Sequence, residues 1–479
     1  MKQQQKNWYS KVKNRLHLDE KCNKAKAEKV VQPANVSQHK FFPFIHFQIK
    51  QFKLSKKLEQ RENELSVIDP YKKRDIYYAG HLDSYIYSYY NEKLLEYYEK
   101  FLQNNYLECS IAYRHIDKNN VGTGKSNIDF AAEAFKEIKN RKECYAIGLD
   151  IHSFFDELDH KILYKNLCKL TEKDKLPDDL YQIYKILTKF HFIELDELLN
   201  NKYIKANRSD FWDKETHSFK KICSTKIFRK ILTEKKDIIK KNPNVNKGIP
   251  QGTNLSGTLA NIYMLDFDVT IQNFVNKIKG YYRRYSDDIL ILVNSKNELD
   301  SLLILIEDEL KKLKLELSKQ KTICCHFQDN NCDYEPCSFR KEYNSSAEFQ
   351  YLGFTYNGKI ILVRNGTIGA FWRDAIRHIR KMVLYNYKNK TRIPIAKIYG
   401  LYSHLSNRES KYGNFYSYIR KSQRIFEKDY QFGKEVKIKF QMSKSWEILH
   451  KYLIKLKEKY KISDKELPIP KDIRENSCL

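Results

Sequence analysis

Three aspartates stand where an ionised carboxylate is expensive. In YAIGLDIHSFFDELDH, Asp150 closes a short apolar run, and in RRYSDDILIL, Asp287 and Asp288 break into another. A carboxylate set against apolar sequence must be paired or bound to metal to stay ionised. Three such groups brought together repel one another unless divalent cations neutralise them. Two hard cations held by oxygen ligands about 4 Å apart clamp the attacking and leaving oxygens of an in-line phosphoryl displacement. Mg2+ fits this chemistry, because it accepts few protein carboxylates and takes substrate phosphates for the rest; Mn2+ is the alternative ion. Asp150, Asp287 and Asp288 are therefore the candidate catalytic residues and metal ligands. A paired Asp alone is more often a solvated turn, so the weight falls on the ordered combination of segments.

The elements that must position these groups can be read from hydrophobic period. CYAIGLD, ending at Asp150, is short, apolar and partly β-branched, as a buried strand is. YYRRYSDDILILV, residues 281–293, reads as two strands around a tight polar turn. Between them lie the loop KGIPQGTNLSG and a helix carrying Leu255, Leu259, Ile262 and Val269 on one stripe. An amphipathic helix, LDSLLILIEDELKKLKLEL, and a short strand at QYLGFTY follow. Upstream, HLDSYIYSYYNEKLLEYYEKFL predicts a packed helix with Leu82, Ile86, Tyr89 and Tyr90 on one face. The pattern is α+β, a mixed centre flanked by mostly helical ends. It divides into a basic arm and helical extension over 1–110, a central core over 111–368 and a basic helical region over 369–479.

Charge points to the partner. Lys+Arg number 88 against 60 Asp+Glu, a net +28, and the pI is near 9.4. A surplus spread along the whole length suits a surface that follows a phosphate backbone. Hydrophobic residues make up 41% of the 479, enough for real cores, yet the mean hydropathy of -0.69 argues against a membrane protein. The basic N-terminus lacks the apolar segment of a secretory signal, and a cytoplasmic location is expected. Ten cysteines without a disulfide-like rhythm fit a reducing compartment. One cluster, Cys324, Cys325, His326, Cys332 and Cys337, has metal-binding residue types but no pair at knuckle spacing, so reduced thiols are expected there.

The ordered motifs resemble those of reverse transcriptases. LDIHSFFDELDH is similar to their first palm motif, GIPQGTNLSGTLANIY to the second and RYSDDILIL to the third. LELSKQKT resembles the lysine-bearing motif that follows, QYLGF the primer grip, and AYRHIDKNNVGTGKSNIDFAAEAF the fingers segment of bacterial members. The likeness covers residues 111–355. It implies a right-hand polymerase fold with fingers, an antiparallel palm sheet carrying the catalytic aspartates and a helical thumb. It further implies that Asp150 and Asp287 ligate two metals while Asp288 supports them. Phe155 matches the steric gate that rejects a ribose 2′-OH. Gln251 would lie by the incoming nucleotide, with Gly248 and Gly252 admitting close backbone approach. Arg114 and Lys125 would grip the triphosphate, Lys321 would assist pyrophosphate departure, and Tyr351, Leu352 and Gly353 would position the primer end. Departures are Ser286 in the third motif, and Asn254 and Gly257 where prolines are common in the second.

KFFPFIHFQIKQFK and RDIYYAGHLDSYIYSYY, with the fingers segment, resemble the unknown-group bacterial reverse transcriptases linked to antiphage defence. That likeness implies an RNA-directed DNA polymerase working with a structured non-coding RNA as template, with dNTPs as substrates and DNA as product. Some relatives form homo-oligomers, and some act without a template or prime from a protein hydroxyl. A retron- or intron-type enzyme is the neighbouring alternative. A non-catalytic RNA-binding scaffold is the third, and the intact motif residues argue against it.

Overall fold

The computed structural model describes residues 8–52, 71–118, 122–343, 346–403 and 414–469. Residues 1–7 of the expected basic arm, 119–121 of the fingers segment and 470–479 of the C-terminal region lie outside these. The remainder of the arm is packed against the body. Trp8, Val12 and Leu16 are buried, with the Trp8 ring edge-on to Tyr85 and Tyr89 and Tyr9 stacked on Tyr85 at 5.0 Å. Ser88 Oγ donates to the Trp8 carbonyl at 2.7 Å.

Strands β1 (Phe44–Phe52) and β2 (Tyr71–Tyr78) form an antiparallel pair. They extend to His191–Glu194, parallel to β1, and to Lys240–Lys241. Helix α1 (His81–Asn104) follows directly. Its first half is buried nearly all round, including Tyr85, Ile86, Tyr87 and Tyr90, which widens the single stripe expected from period. Gly80 at its N-cap has no side chain to offer, and Asp19 fills that role from the arm. Asp19 Oδ1 accepts from His81 N and Oδ2 from Leu82 N, both at 2.9 Å. Those bonds and the flanking His17 and His81 imidazoles outweigh the cost of burial and hold the Asp19 carboxyl far below the ordinary range.

The central sheet has five strands, all antiparallel, in the order Asn331–Tyr334, Ile323–Gln328, Glu143–Asp150, Asp288–Val293, Tyr281–Tyr285. Helix α2 (Asn127–Arg141), opened by a Ser126/Asp129 capping box, leads into β3 (Glu143–Asp150). The expected long helix after the Gly/Pro loop is two helices, α3 (Ser256–Tyr263) and α4 (Leu265–Lys277), parted at Met264. Then come β4 (Tyr281–Tyr285), β5 (Asp288–Val293), α5 (Lys296–Lys312), β6 (Ile323–Gln328) and β7 (Asn331–Tyr334). Alternation sends Ile289, Ile291 and Val293 of β5 into one core, with α1, α3, α4 and α5, and Leu290 and Leu292 into a second, with α2. A sheet covered on both faces explains why DILILV reads as an unbroken apolar run. Each of these buried aliphatic side chains contributes about 2 kcal/mol.

The single strand expected at QYLGFTY is a hairpin, β8 (Phe349–Tyr351) and β9 (Phe354–Tyr356), joined by β10 (Ile361–Val363) into a small sheet on the second core. Helix α6 (Asn365–Lys388) and α7 (Ser445–Tyr460) then share a separate core through Ala375, Ile379, Val383, Leu449 and Leu453.

Asp19→Ala strips two N–H groups of α1 of a charged acceptor. Loss of such bonds costs about 2–3 kcal/mol. A lowered melting temperature checks this, and an unchanged one would deny the arm its capping role.

Candidate active site

Register brings the acids together. Pairing of β3 with β5 sets Asp150 directly opposite Asp288, and the β4–β5 turn holds Ser286 and Asp287, with Ser286 at φ +61°. The turn is stitched to its surroundings: Ile151 N donates to the Asp287 carbonyl at 3.2 Å, and Ser318 N to the Asp150 carbonyl at 2.8 Å. All three aspartates are half-buried. Burial pushes the Asp287 carboxyl up, and the Asp150 charge adds to it. Asp288 is pushed up to about 7 by burial and then by Asp287 and Asp150, against the opposing charges of Lys321 and Arg364. The Lys321 ammonium is hydrogen-bonded to Asp150 Oδ1. Crowded hard oxygen donors that resist ionising, with a cation already drawn in, suit a divalent metal. Among the described residues no group of three or more His, Cys, Asp or Glu side chains, this one included, is arranged to hold a metal ion as it stands.

Beneath the turn lies a buried charge pair. Arg284, fully buried, meets the equally buried Asp268 of α4 in a fork of 2.8 and 2.6 Å. Burial alone would lower the Arg284 pKa, but Asp268 reverses this and fixes the guanidinium as a cation. Arg284 Nη1 also donates to the Ser286 carbonyl at 3.1 Å and to Asn261 Oδ1 of α3 at 3.2 Å. Tyr282 Oη donates to Asp268 at 2.7 Å. Backbone bonds from Arg284 N to Cys109 O and from Ile111 N to Arg284 O tie the segment before Arg114 to this hub.

The second motif docks beside the acids. Ile249 N donates to the Phe155 carbonyl at 3.0 Å, and Tyr77 N of β2 to the Gln251 carbonyl at 2.8 Å. Phe155 is half-buried, edge-on to the buried Phe154 at 5.7 Å. Gly252 has φ +128°, and a Cβ there would lie 2.7 Å from the Tyr77 carbonyl oxygen. Only glycine allows the first sheet to approach this loop so closely. Gly248 lies in the same loop, its carbonyl 2.8 Å from His160 Nε2.

The sequence family described as Reverse transcriptase (RNA-dependent DNA polymerase) matches residues 98–356, more than half of the chain. The chain belongs to the reverse transcriptase family. Its α+β architecture is that family's right-hand polymerase fold. Among solved structures, apo telomerase of Candida tropicalis truncated from its C-terminal domain is 13% identical, with TM-score 0.37, over 60% of this chain and 51% of that one. Telomerase of Candida albicans with the TWJ fragment of telomeric RNA is also 13% identical at TM-score 0.37, over 90% of this chain and 63% of that one. The chain thus spans between half and two thirds of those telomerase chains. Comparison with curated proteins gives no match.

Not every expected residue of this reverse transcriptase reaches the acids as a free group. Arg114 is forked onto Glu99, with its Nε donating at 2.7 Å, and also donates to the Ser110 carbonyl. Lys125 pairs with Glu133 at 2.5 Å. Both cations are therefore committed to ion pairs. Tyr351 is buried, its hydroxyl without a hydrogen-bond partner among the described residues, and burial, with Tyr281 and Asp288 adding to it, raises its pKa. Leu352 and Gly353, at φ +45° and +92°, form the two-residue turn between β8 and β9. The cysteine cluster divides across the sheet: Cys324 and Cys337 belong to one core, Cys325 and its neighbour Cys332 to the other. Thiols on opposite faces of the sheet do not all converge on one point. Tyr113, Arg74, Asp268 and Arg284 join the site without a local sequence signal of their own. Arg74 is exposed on β2, unpaired among the described residues, and its charge acts on the Tyr113 hydroxyl.

Removing one partner of a buried ion pair typically costs about 3–5 kcal/mol, so Arg284→Met should lower the melting temperature sharply and abolish activity. Adding Asp268→Leu should recover the melting temperature but not the activity, because the Ser286 carbonyl has still lost its donor; recovery of both would remove the positioning role. Asp288 yields a pH test. Its folded pKa of about 7 exceeds its unfolded value, so its contribution is complete below about pH 4 and is lost as pH rises through 7. In chelator, Asp288→Asn should gain in melting temperature over the native chain from pH 5 to pH 8. A difference independent of pH would contradict the charge crowding.

Proposed function

We propose that the protein is an RNA-directed DNA polymerase that extends a primer by two-metal nucleotidyl transfer at Asp150, Asp287 and Asp288. The register that places Asp150 opposite Asp288, with Asp287 in the adjoining turn, carries the reading. Two Mg2+ ions, or Mn2+ in their place, would be held by Asp150 and Asp287 with Asp288 in support. When bound they supply Lewis acidity and charge neutralisation for the phosphoryl displacement. The chain's own groups do the rest. Phe155 crowds a ribose 2′-OH and so selects dNTPs. Gln251 orients the incoming nucleotide, and the Tyr351–Gly353 turn holds the primer end. Lys321, already on Asp150, offsets charge as pyrophosphate leaves. Arg74, unpaired among the described residues, is the cation offered to the triphosphate where Arg114 and Lys125 are engaged.

The template is an RNA, and the resemblance of the first sheet and α1 to defence-associated bacterial members favours a structured non-coding RNA used during phage infection. A net charge of +28 supports a nucleic-acid partner of some length. Asp287→Ala with Asp288→Ala should reduce labelled dNTP incorporation to background while the melting temperature holds or rises, since ligands are lost and repulsion is relieved. The same variant should lose any protection against phage plaquing. Retained incorporation would remove these carboxylates from catalysis. Phe155→Ala should admit ribonucleotides, and no gain in their use would defeat the gate.

A further inference from the structure

Tyr113 is an exposed aromatic residue held in a costly backbone conformation beside the acids. Its φ is +61°, a region that L residues other than Asn, Asp and Gly seldom occupy. The ring is only partly buried, with 46% of the residue exposed. The conformation is enforced from both sides. Ala112 O accepts from Asn261 Nδ2 at 2.8 Å, Ile111 N is fixed to Arg284 O, and Arg114 is forked onto Glu99. One ring face is seated on Gly257, where an added Cβ would lie 2.5 Å from Tyr113 Cγ and 2.7 Å from both Cδ atoms. Gly257 therefore serves as the floor beneath the ring. Burial raises the Tyr113 pKa, and the hydroxyl is near enough to the Ser286 side chain, Asp287 and Arg74 to feel all three.

A strained, buttressed ring that stays 46% exposed beside Asp287 is arranged to receive something flat on its exposed side. We propose that Tyr113 is a stacking platform for a nucleobase at the growing end, either the templating base or the base of the incoming nucleotide. The inference rests on the polymerase reading and adds a positioning residue to it. A planar π-face binds any base, so the platform contributes affinity and alignment without sequence preference.

The test is single-nucleotide incorporation by the full chain on an RNA template with an annealed DNA primer and Mg2+. Tyr113→Phe should match the native protein. Tyr113→Ala and Tyr113→Gly should each slow incorporation about tenfold, in line with the loss of one base–aromatic stack. Tyr113→Gly should meanwhile melt no lower than the native chain, because glycine relieves the left-handed strain. A template abasic at the pairing position separates the two sources. Convergence of native and Tyr113→Ala rates on it assigns the stack to the templating base, and a persisting gap assigns it to the incoming base. Native-like rates for Tyr113→Ala and Tyr113→Gly overturn the platform, as does a Tyr113→Phe variant as slow as Tyr113→Ala, which would place the role in the hydroxyl. A native chain that incorporates nothing overturns the polymerase reading, and this inference with it.

Discussion

The buried pair of Arg284 and Asp268 is the interaction on which the site depends. A guanidinium with no solvent around it is sustained only by close pairing, and here each of its nitrogens donates: to Asp268 from α4, Asn261 from α3 and the Ser286 carbonyl from the turn. A buried pair of this kind is weak evidence for net stability, because the desolvation of two charges offsets most of their attraction. What it does supply is geometry. The carbonyl it holds precedes Asp287, and the backbone of Arg284 binds the strand of chain that leads to Tyr113 and Arg114. Palm, second-motif helix and fingers segment therefore meet at one fixed charge.

Above that anchor the chemistry is set by crowding. Antiparallel register forces Asp150 and Asp288 face to face, and the apolar cores on either side of the sheet leave them only half-exposed to water. The resulting repulsion is stored until a cation arrives. Lys321 meets part of it through Asp150, and a divalent ion would meet more. The same cores that stabilise the sheet thus hold up the pKa of the carboxyls at the ends of its inner strands.

Much of this was legible in the sequence, and for a physical reason. Asp150, Asp287 and Asp288 were visible because a carboxylate ending an apolar strand contradicts its surroundings, and strand period is a local property. The same holds for β3, β4 and β5. What was not legible depends on partners distant in the chain. Arg284 reads as one more cation in a basic sequence until Asp268 is seen to bury it. Arg114 and Lys125 read as free until Glu99 and Glu133 are found against them. Alternation of side chains would have parted Cys324 from Cys325 had it been applied to ICCHFQ. The N-terminal arm read as basic because Lys and Arg outnumber Trp8, Val12 and Leu16, although those few apolar residues decide where it lies.

Template copying is the central claim, and sequencing the product tests it most directly. The purified protein would be given an RNA of defined sequence with an annealed DNA primer, all four dNTPs and Mg2+, and the extended strand would be read base by base. The account predicts DNA complementary to the RNA, beginning at the primer end. An extension unrelated to the RNA, or none from a folded protein, would contradict it.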